Sequence, residues 1–231
     1  MNGFGESAMI DFNRLRQSMV DSQIRPNDVT DLRIIGAMLD VPRERFVPAN
    51  RAGLAYLDDD LPVNDPAAGG TPRFLIEPMI LAKLIQALDL SERERVLDVG
   101  CATGYSAALL RQLAAEVVAV ESDQELADAA RRTLGELGMA DVQVVNNPLT
   151  KGAAEAGPYD AILVNGSVEF VPDELLDQLK EGGRLVAVVR RGPLGRATLY
   201  LRAGGAVSSR PLFDAAVPAL PGFEVPRGFV F

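Results

Sequence analysis

Two carboxylates, Asp98 and Glu121, frame a small-residue loop in the run Arg95-Val-Leu-Asp-Val-Gly-Cys-Ala-Thr-Gly-Tyr105, and both close apolar stretches. Val96, Leu97 and Val99 suit a buried parallel strand, while Gly100, Ala102 and Gly104 remove side-chain bulk where the backbone must turn into a helix beside a ligand. One strand-helix-strand step on, Glu121 is placed to accept hydrogen bonds from both hydroxyls of a ribose. A dinucleotide fingerprint beginning at Gly100 requires glycine at 102 and 105, where Ala102 and Tyr105 stand, and a P-loop requires a lysine that Tyr105-Ser106-Ala107 does not supply. The pattern therefore favours a nucleoside ligand without phosphates, and S-adenosylmethionine meets that description. The alternative is an ordinary strand-to-helix turn that binds nothing.

Other chemistry is narrowed by composition. The 231 residues contain no histidine, which removes the usual general base, zinc ligand and pH switch. No metal site is expected. A net charge of −9 disfavours a surface that must neutralise phosphates, so nucleic acid is not an expected partner. Cys101 is the single cysteine; without a histidine beside it, a packing role is favoured over a thiolate nucleophile. One cysteine, no apolar run of 18 residues and no basic leader before Ser7 imply a cytoplasmic protein outside the membrane.

The elements that must position this loop are legible in the periodicity. Residues 1–10 read as a flexible tail and residues 11–76 as a helical cap with a linker. The cap has short helices broken near Arg25-Pro26-Asn27, stops at Val41-Pro42 and Val47-Pro48, and a loop over residues 64–72. From residue 77 to residue 231 the pattern alternates. Pro78 opens a helix, with Glu77 as its outward-facing N-terminal acid. Strands follow at 95–100, 117–121, 142–145, 159–165 and 184–189, with helices at 106–113, 124–137 and 172–180 between them. Residues 197–201 and the apolar run before Pro221 are expected to form an antiparallel pair around Gly204-Gly205. This is an α/β plan: a Rossmann-like, mostly parallel seven-stranded sheet with a C-terminal hairpin, as in class I methyltransferases.

Five blocks resemble the protein-L-isoaspartate O-methyltransferase family: Met19-Val-Asp-Ser-Gln-Ile24, Val41-Pro-Arg-Glu-Arg-Phe-Val-Pro48, Ala55-Tyr56 with Leu61-Pro62, Val96 through Ala108, and Leu175 through Val186. The likeness spans about Met19 to Leu220. It implies methyl transfer from S-adenosyl-L-methionine to the free carboxylate of isoaspartyl residues in damaged proteins. That acceptor is already ionised at neutral pH and requires no strong base. The resemblance assigns Asp98, Gly100, Cys101, Ala102 and Gly104 to the cofactor loop and Tyr105 to the pocket wall. It gives Glu121 the ribose, with Ser122 beside it, and places Leu75, Ile76, Pro148, Leu149 and Asn165 against the cofactor.

Two departures mark this chain. The family's Ile-Ser-x-Pro run is here Leu75-Ile76-Glu77-Pro78, so Ile76 stands at the position of the active-site serine. After the third strand the family's Gly-Asp-Gly turn, whose acid meets the adenine, is replaced by Asn147-Pro148-Leu149. Two further readings therefore stay open. One keeps the cofactor and changes the acceptor to another carboxylate or a hydroxyl, on a small molecule or a protein; the other is a cofactor-binding protein that has lost turnover.

Overall fold

The computed structural model describes residues 10–65, 71–192 and 194–225. The expected tail at 1–10 lies outside them except for Ile10, as do residues 66–70 of the linker. The cap contains α1 (Phe12–Met19) and α2 (Leu32–Asp40), joined by a π turn at Val20–Ile24 and a 3-10 turn at Arg25–Asn27. Asp11 and Asp31 begin the two helices by accepting hydrogen bonds from the backbone N–H groups of Arg14 and Arg33. A two-stranded ribbon, β1 (Leu61–Pro62) against β2 (Phe74–Leu75), closes the cap.

The main sheet is built from β3 (Arg95–Val99), β4 (Glu116–Glu121), β5 (Gln143–Asn146), β6 (Tyr159–Val168), β7 (Leu179–Arg191), β8 (Leu194–Ala203) and β9 (Ala206–Asp214). Its order is β5-β4-β3-β6-β7-β8-β9, and β7, β8 and β9 pair antiparallel. The strand order reverses between β3 and β6, which leaves a crevice at their carboxyl ends where ligands of such sheets sit. Helices α3 (Pro78–Leu88), α4 (Tyr105–Arg111), α5 (Gln124–Glu136) and the single turn α6 (Asp173–Leu176) connect the strands. Asp123 caps α5 by accepting from the N–H groups of Glu125 and Leu126.

Two expectations are corrected. The helix read over 172–180 is only α6, because Gln178 leaves it. Its side chain accepts from the Ala153 N–H and donates to the Lys151 and Glu174 carbonyls, and its own carbonyl accepts from the Tyr159 N–H. Pairing with β6 therefore starts at Leu179, and Gly182-Gly183 lies within an irregular part of β7 instead of stopping a helix. The second correction concerns the hairpin. Gly204 and Gly205 both have positive φ, so the strands pair at once, Ala203 against Ala206, and β9 is the polar run up to Asp214. The apolar run before Pro221 is no strand of that hairpin. It crosses to the carboxyl end of β6, where the Ser167 N–H donates to the Pro218 carbonyl at 2.8 Å and the Leu220 N–H donates to the Ser167 carbonyl at 2.9 Å.

The cap and the sheet share one apolar cluster that includes Met19, Met38, Phe46, Leu81, Tyr105, Ala108 and Val186. A second cluster on the other face contains Leu97, Val120, Leu149, Ile162 and Phe223. Because Phe46 is fully buried in the shared cluster, Phe46→Ala should cost about 3–5 kcal/mol. A urea titration of that variant should show one unfolding transition, moved to lower denaturant, in which the cap and the sheet melt together.

Candidate functional site at the carboxyl end of the sheet

Glu121 ends β4 with its carboxylate fully buried. Oε2 accepts the Ala102 N–H at 2.8 Å, and Oε1 accepts the N–H groups of Ser122 at 2.8 Å and Asp123 at 3.1 Å. The Arg73 guanidinium completes the shell, with Nη1 at 2.5 Å from Oε1 and Nη2 donating to the Gly100 carbonyl at 3.2 Å. Both side chains of this pair are shielded from solvent. Removing either partner of such a pair costs about 3–5 kcal/mol, since it strands a buried charge.

The loop after β3 is shaped for close approach. Gly100, Ala102 and Gly104 all have positive φ. A side chain at Gly104 would come within 3.2 Å of Ala130 Cβ on α5, so glycine there lets the loop and α5 pack together. Cys101 is fully buried with its thiol pushed well above its ordinary value by burial, so it packs as a small apolar residue.

Asp98 is also fully buried. Its Oδ2 accepts from the Ser106 hydroxyl at 2.6 Å, and Asn165 Nδ2 donates to that hydroxyl at 2.8 Å. Asp98 Oδ1 and Asn165 Oδ1 have no hydrogen-bond partner among the described residues. Burial, reinforced by the Glu121 charge, pushes the Asp98 carboxyl up to about 7. Ser122, Pro148 and Leu149 lie together in the wall of a recess of about 340 Å³ that also includes Asn146, Thr150, Pro221 and Gly222. Pro148 is exposed and Leu149 buried.

Tyr105 is directed elsewhere. Its ring lies edge-on to Phe46 at 5.6 Å and under the Arg43 guanidinium at 4.7 Å, within the core shared with the cap. Leu75 and Ile76 are buried, and the Ile76 carbonyl accepts from Arg43 Nη2 at 2.9 Å. Arg43 is itself fully buried and donates through Nε to the Ala55 carbonyl. Glu77 begins α3 but makes no side-chain cap; its backbone N–H donates to Asp60 Oδ1 at 2.9 Å. The expected outward orientation does not hold, because Glu77 is half-buried. Burial and the neighbouring Asp60, Asp58 and Asp59 push its carboxyl up to about 7. Burial moves Asp60 to about 6.

Arg43 and Arg73 carry structural weight that no local pattern announces. Each is one arginine in a loop-like segment, and its partners lie far away along the chain. The available signal was indirect, since a carboxylate ending an apolar strand requires a cation or several donors.

A sheet of this order, with a left-handed loop after β3 and a buried acid ending β4, has the architecture of the class I methyltransferases. A solved protein-L-isoaspartate O-methyltransferase superposes with a TM-score of 0.78 at 27% identity, over 90% of this chain and 66% of that longer one. A Plasmodium falciparum methyltransferase of the same name, in complex with S-adenosyl-L-homocysteine, shares the fold with a TM-score of 0.74 at 19% identity, over 92% of this chain and 99% of that one. Residues 14–213 match the model of the protein-L-isoaspartate(D-aspartate) O-methyltransferase family, and the chain belongs to that family. Protein-L-isoaspartate O-methyltransferases of Methanoculleus marisnigri and Syntrophus aciditrophicus are 38% and 42% identical to it, covering 86% and 77% of this chain and 88% and 79% of their own lengths.

The raised carboxyls give the fold a pH dependence. In the folded state Asp98, Asp60 and Glu77 keep protons that the unfolded chain releases near pH 4. Their stabilising contribution is complete below about pH 4 and lost as the pH rises through about 6 to 7. Scanning calorimetry should find a lower melting temperature at pH 8 than at pH 5, with about 2–4 °C lost per kcal/mol. In Asp98→Asn, whose amide stays neutral, that fall should be smaller.

Proposed function

We propose that the protein transfers the methyl group of S-adenosyl-L-methionine to a carboxylate, with isoaspartyl residues of damaged proteins as the acceptor. The observation that supports this most directly is the pairing of family membership across residues 14–213 with a donor set that fits the cofactor. Glu121 is placed to take the ribose, Asp98 Oδ1 and Asn165 Oδ1 are buried acceptors suited to an ammonium group, and the recess at Ser122, Pro148 and Leu149 suits a flat ring held by packing and backbone groups. When bound, the cofactor supplies a sulfonium-activated methyl group. The chain's own residues then bind, orient and exclude water, because an ionised carboxylate needs no base. A recess of about 290 Å³ has Asp60, Ser167 and Arg190 in its wall, and an acceptor carboxylate there would share the Arg190 guanidinium with Glu169, 3.6 Å away. A cytoplasmic location belongs to the same proposal. Among the described residues no helix is long and apolar enough to cross a membrane.

A second reading, a different carboxylate or a hydroxyl on a more apolar acceptor, is favoured by one observation. Position 76, the family's serine, carries a buried isoleucine with the half-buried Glu77 beside it. A nucleic-acid acceptor is not part of either reading, in keeping with the acidic balance of the chain.

The deciding measurement is transfer of labelled methyl to an isoaspartyl peptide and to its aspartyl twin. Transfer to the first alone supports repair. Absence of transfer, while S-adenosylhomocysteine still binds in a calorimeter, moves the assignment to the second reading. Ile76→Ser should raise isoaspartyl transfer by about tenfold, the effect of one hydrogen bond to a charged group.

A further inference from the structure

The space above the cofactor loop is filled by the chain itself. A Cβ built on Gly100 would lie 2.9 Å from Leu220 Cδ2 and 3.3 Å from Arg73 Nη2, and one built on Gly166 would lie 2.7 Å from Leu220 Cγ. Leu220 therefore bridges the carboxyl ends of β3 and β6, across the point where the strand order reverses. Arg73 fills the neighbouring gap between the β3 loop and the acid of β4, and both residues are almost wholly buried.

We infer that Arg73 and Leu220 are a built-in competitor for the cofactor, so that binding must displace the Arg73 side chain and lift Leu220 away from Gly100 and Gly166. The inference rests on the proposed cofactor. The acceptors of Glu121 are already in use. Glu121 already receives three N–H groups, the guanidinium and, at 3.4 Å, the Ser122 hydroxyl, and a carboxylate has about four acceptor sites. A ribose diol needs two of them, and the guanidinium and the long Ser122 hydroxyl contact can leave without unfolding the loop or the start of α5, whereas the N–H groups cannot. Arg73 also caps the Gly100 carbonyl, so one planar cation meets acceptors on both β3 and β4 that a ligand bearing hydroxyls and an ammonium would otherwise meet.

The resting arrangement is also incomplete. Asp98 Oδ1 and Asn165 Oδ1 lie two residues before Gly100 and one before Gly166, buried and without partners among the described residues, while the side chain packed on those glycines is an aliphatic leucine. Unpaired buried acceptors beside an apolar plug disfavour the closed state and mark it as a form that a donor-rich ligand can replace. Around Leu220 the chain is held to β6 by few backbone contacts: the Ser167–Pro218 and Leu220–Ser167 hydrogen bonds and one from the Glu169 N–H to the Phe223 carbonyl, with the buried Phe223 ring on one side and the Ala215 N–H on the Gly195 carbonyl at the other.

Calorimetric titration of the full chain with S-adenosylhomocysteine tests this. Arg73→Gln and Leu220→Ala should each bind at least tenfold more tightly than the wild type. Leu220→Ala keeps the buried ion pair, so the test survives if Arg73→Gln folds poorly. In the wild type, saturating S-adenosylhomocysteine should speed hydrogen exchange at the Leu220 and Ser167 amides. Equal affinity in wild type and variants, or unchanged exchange at those amides on binding, overturns the competitor and leaves the proposed function standing. No binding to the wild type or to either folded variant overturns both.

Discussion

A carboxylate buried at the end of β4 sets the constraint that organises this molecule. Glu121 is withdrawn from water, and an unpaired charge there would be far too costly to keep. Its compensation comes from three directions: the loop after β3 through the Ala102 N–H, the first residues before α5 through Ser122 and Asp123, and the cap linker through Arg73. The loop and the linker are distant in sequence, and the other hydrogen bonds that join them to this point are those of the Gly100 and Cys101 N–H groups to the Val120 carbonyl and of Arg73 to the Gly100 carbonyl. The acid fixes where the loop stands over the sheet, where α5 begins and where the linker enters the crevice.

A second buried arginine does the corresponding work on the cap. Arg43 satisfies the carbonyls of Ala55 and Ile76 and lies over the Tyr105 ring, so the cap, the strand leading to Ile76 and the first residue of α4 meet at one guanidinium. Its full burial opposes the charged state, and the stacked aromatic face returns part of what desolvation takes. The sheet gains a cap whose apolar core is continuous with its own.

How much of this was readable from the residues depended on range. The strand and loop at 95–105, the strand ending at Glu121 and the breaks in the cap follow local rules of periodicity, capping and turn chemistry, and the structure has them within a few residues. The elements that differ were decided by distant partners. Gln178 left its helix for contacts with Ala153 and Lys151, and the run before Pro221 left the hairpin because Gly204-Gly205 let the preceding strands pair without it. The same limit applies at the site. Small residues and two acids mark a ligand loop locally, whereas the side chains packed over it come from positions 73 and 220, which no spacing rule connects to residue 100.

Arg43 has a mechanical consequence. Because one planar group ties Ile76, Ala55 and Tyr105 together, the backbone at position 76 and the first turn of α4 are fixed to each other. The segment from Ala215 to Phe223 is an add-on to the end of β6, joined by single hydrogen bonds and three buried side chains, with Ala215 also bonded to Gly195 of β8. The crevice therefore has a built-in polarity. On the cap side the chain is tied by a buried guanidinium with several partners, and on the C-terminal side by single hydrogen bonds.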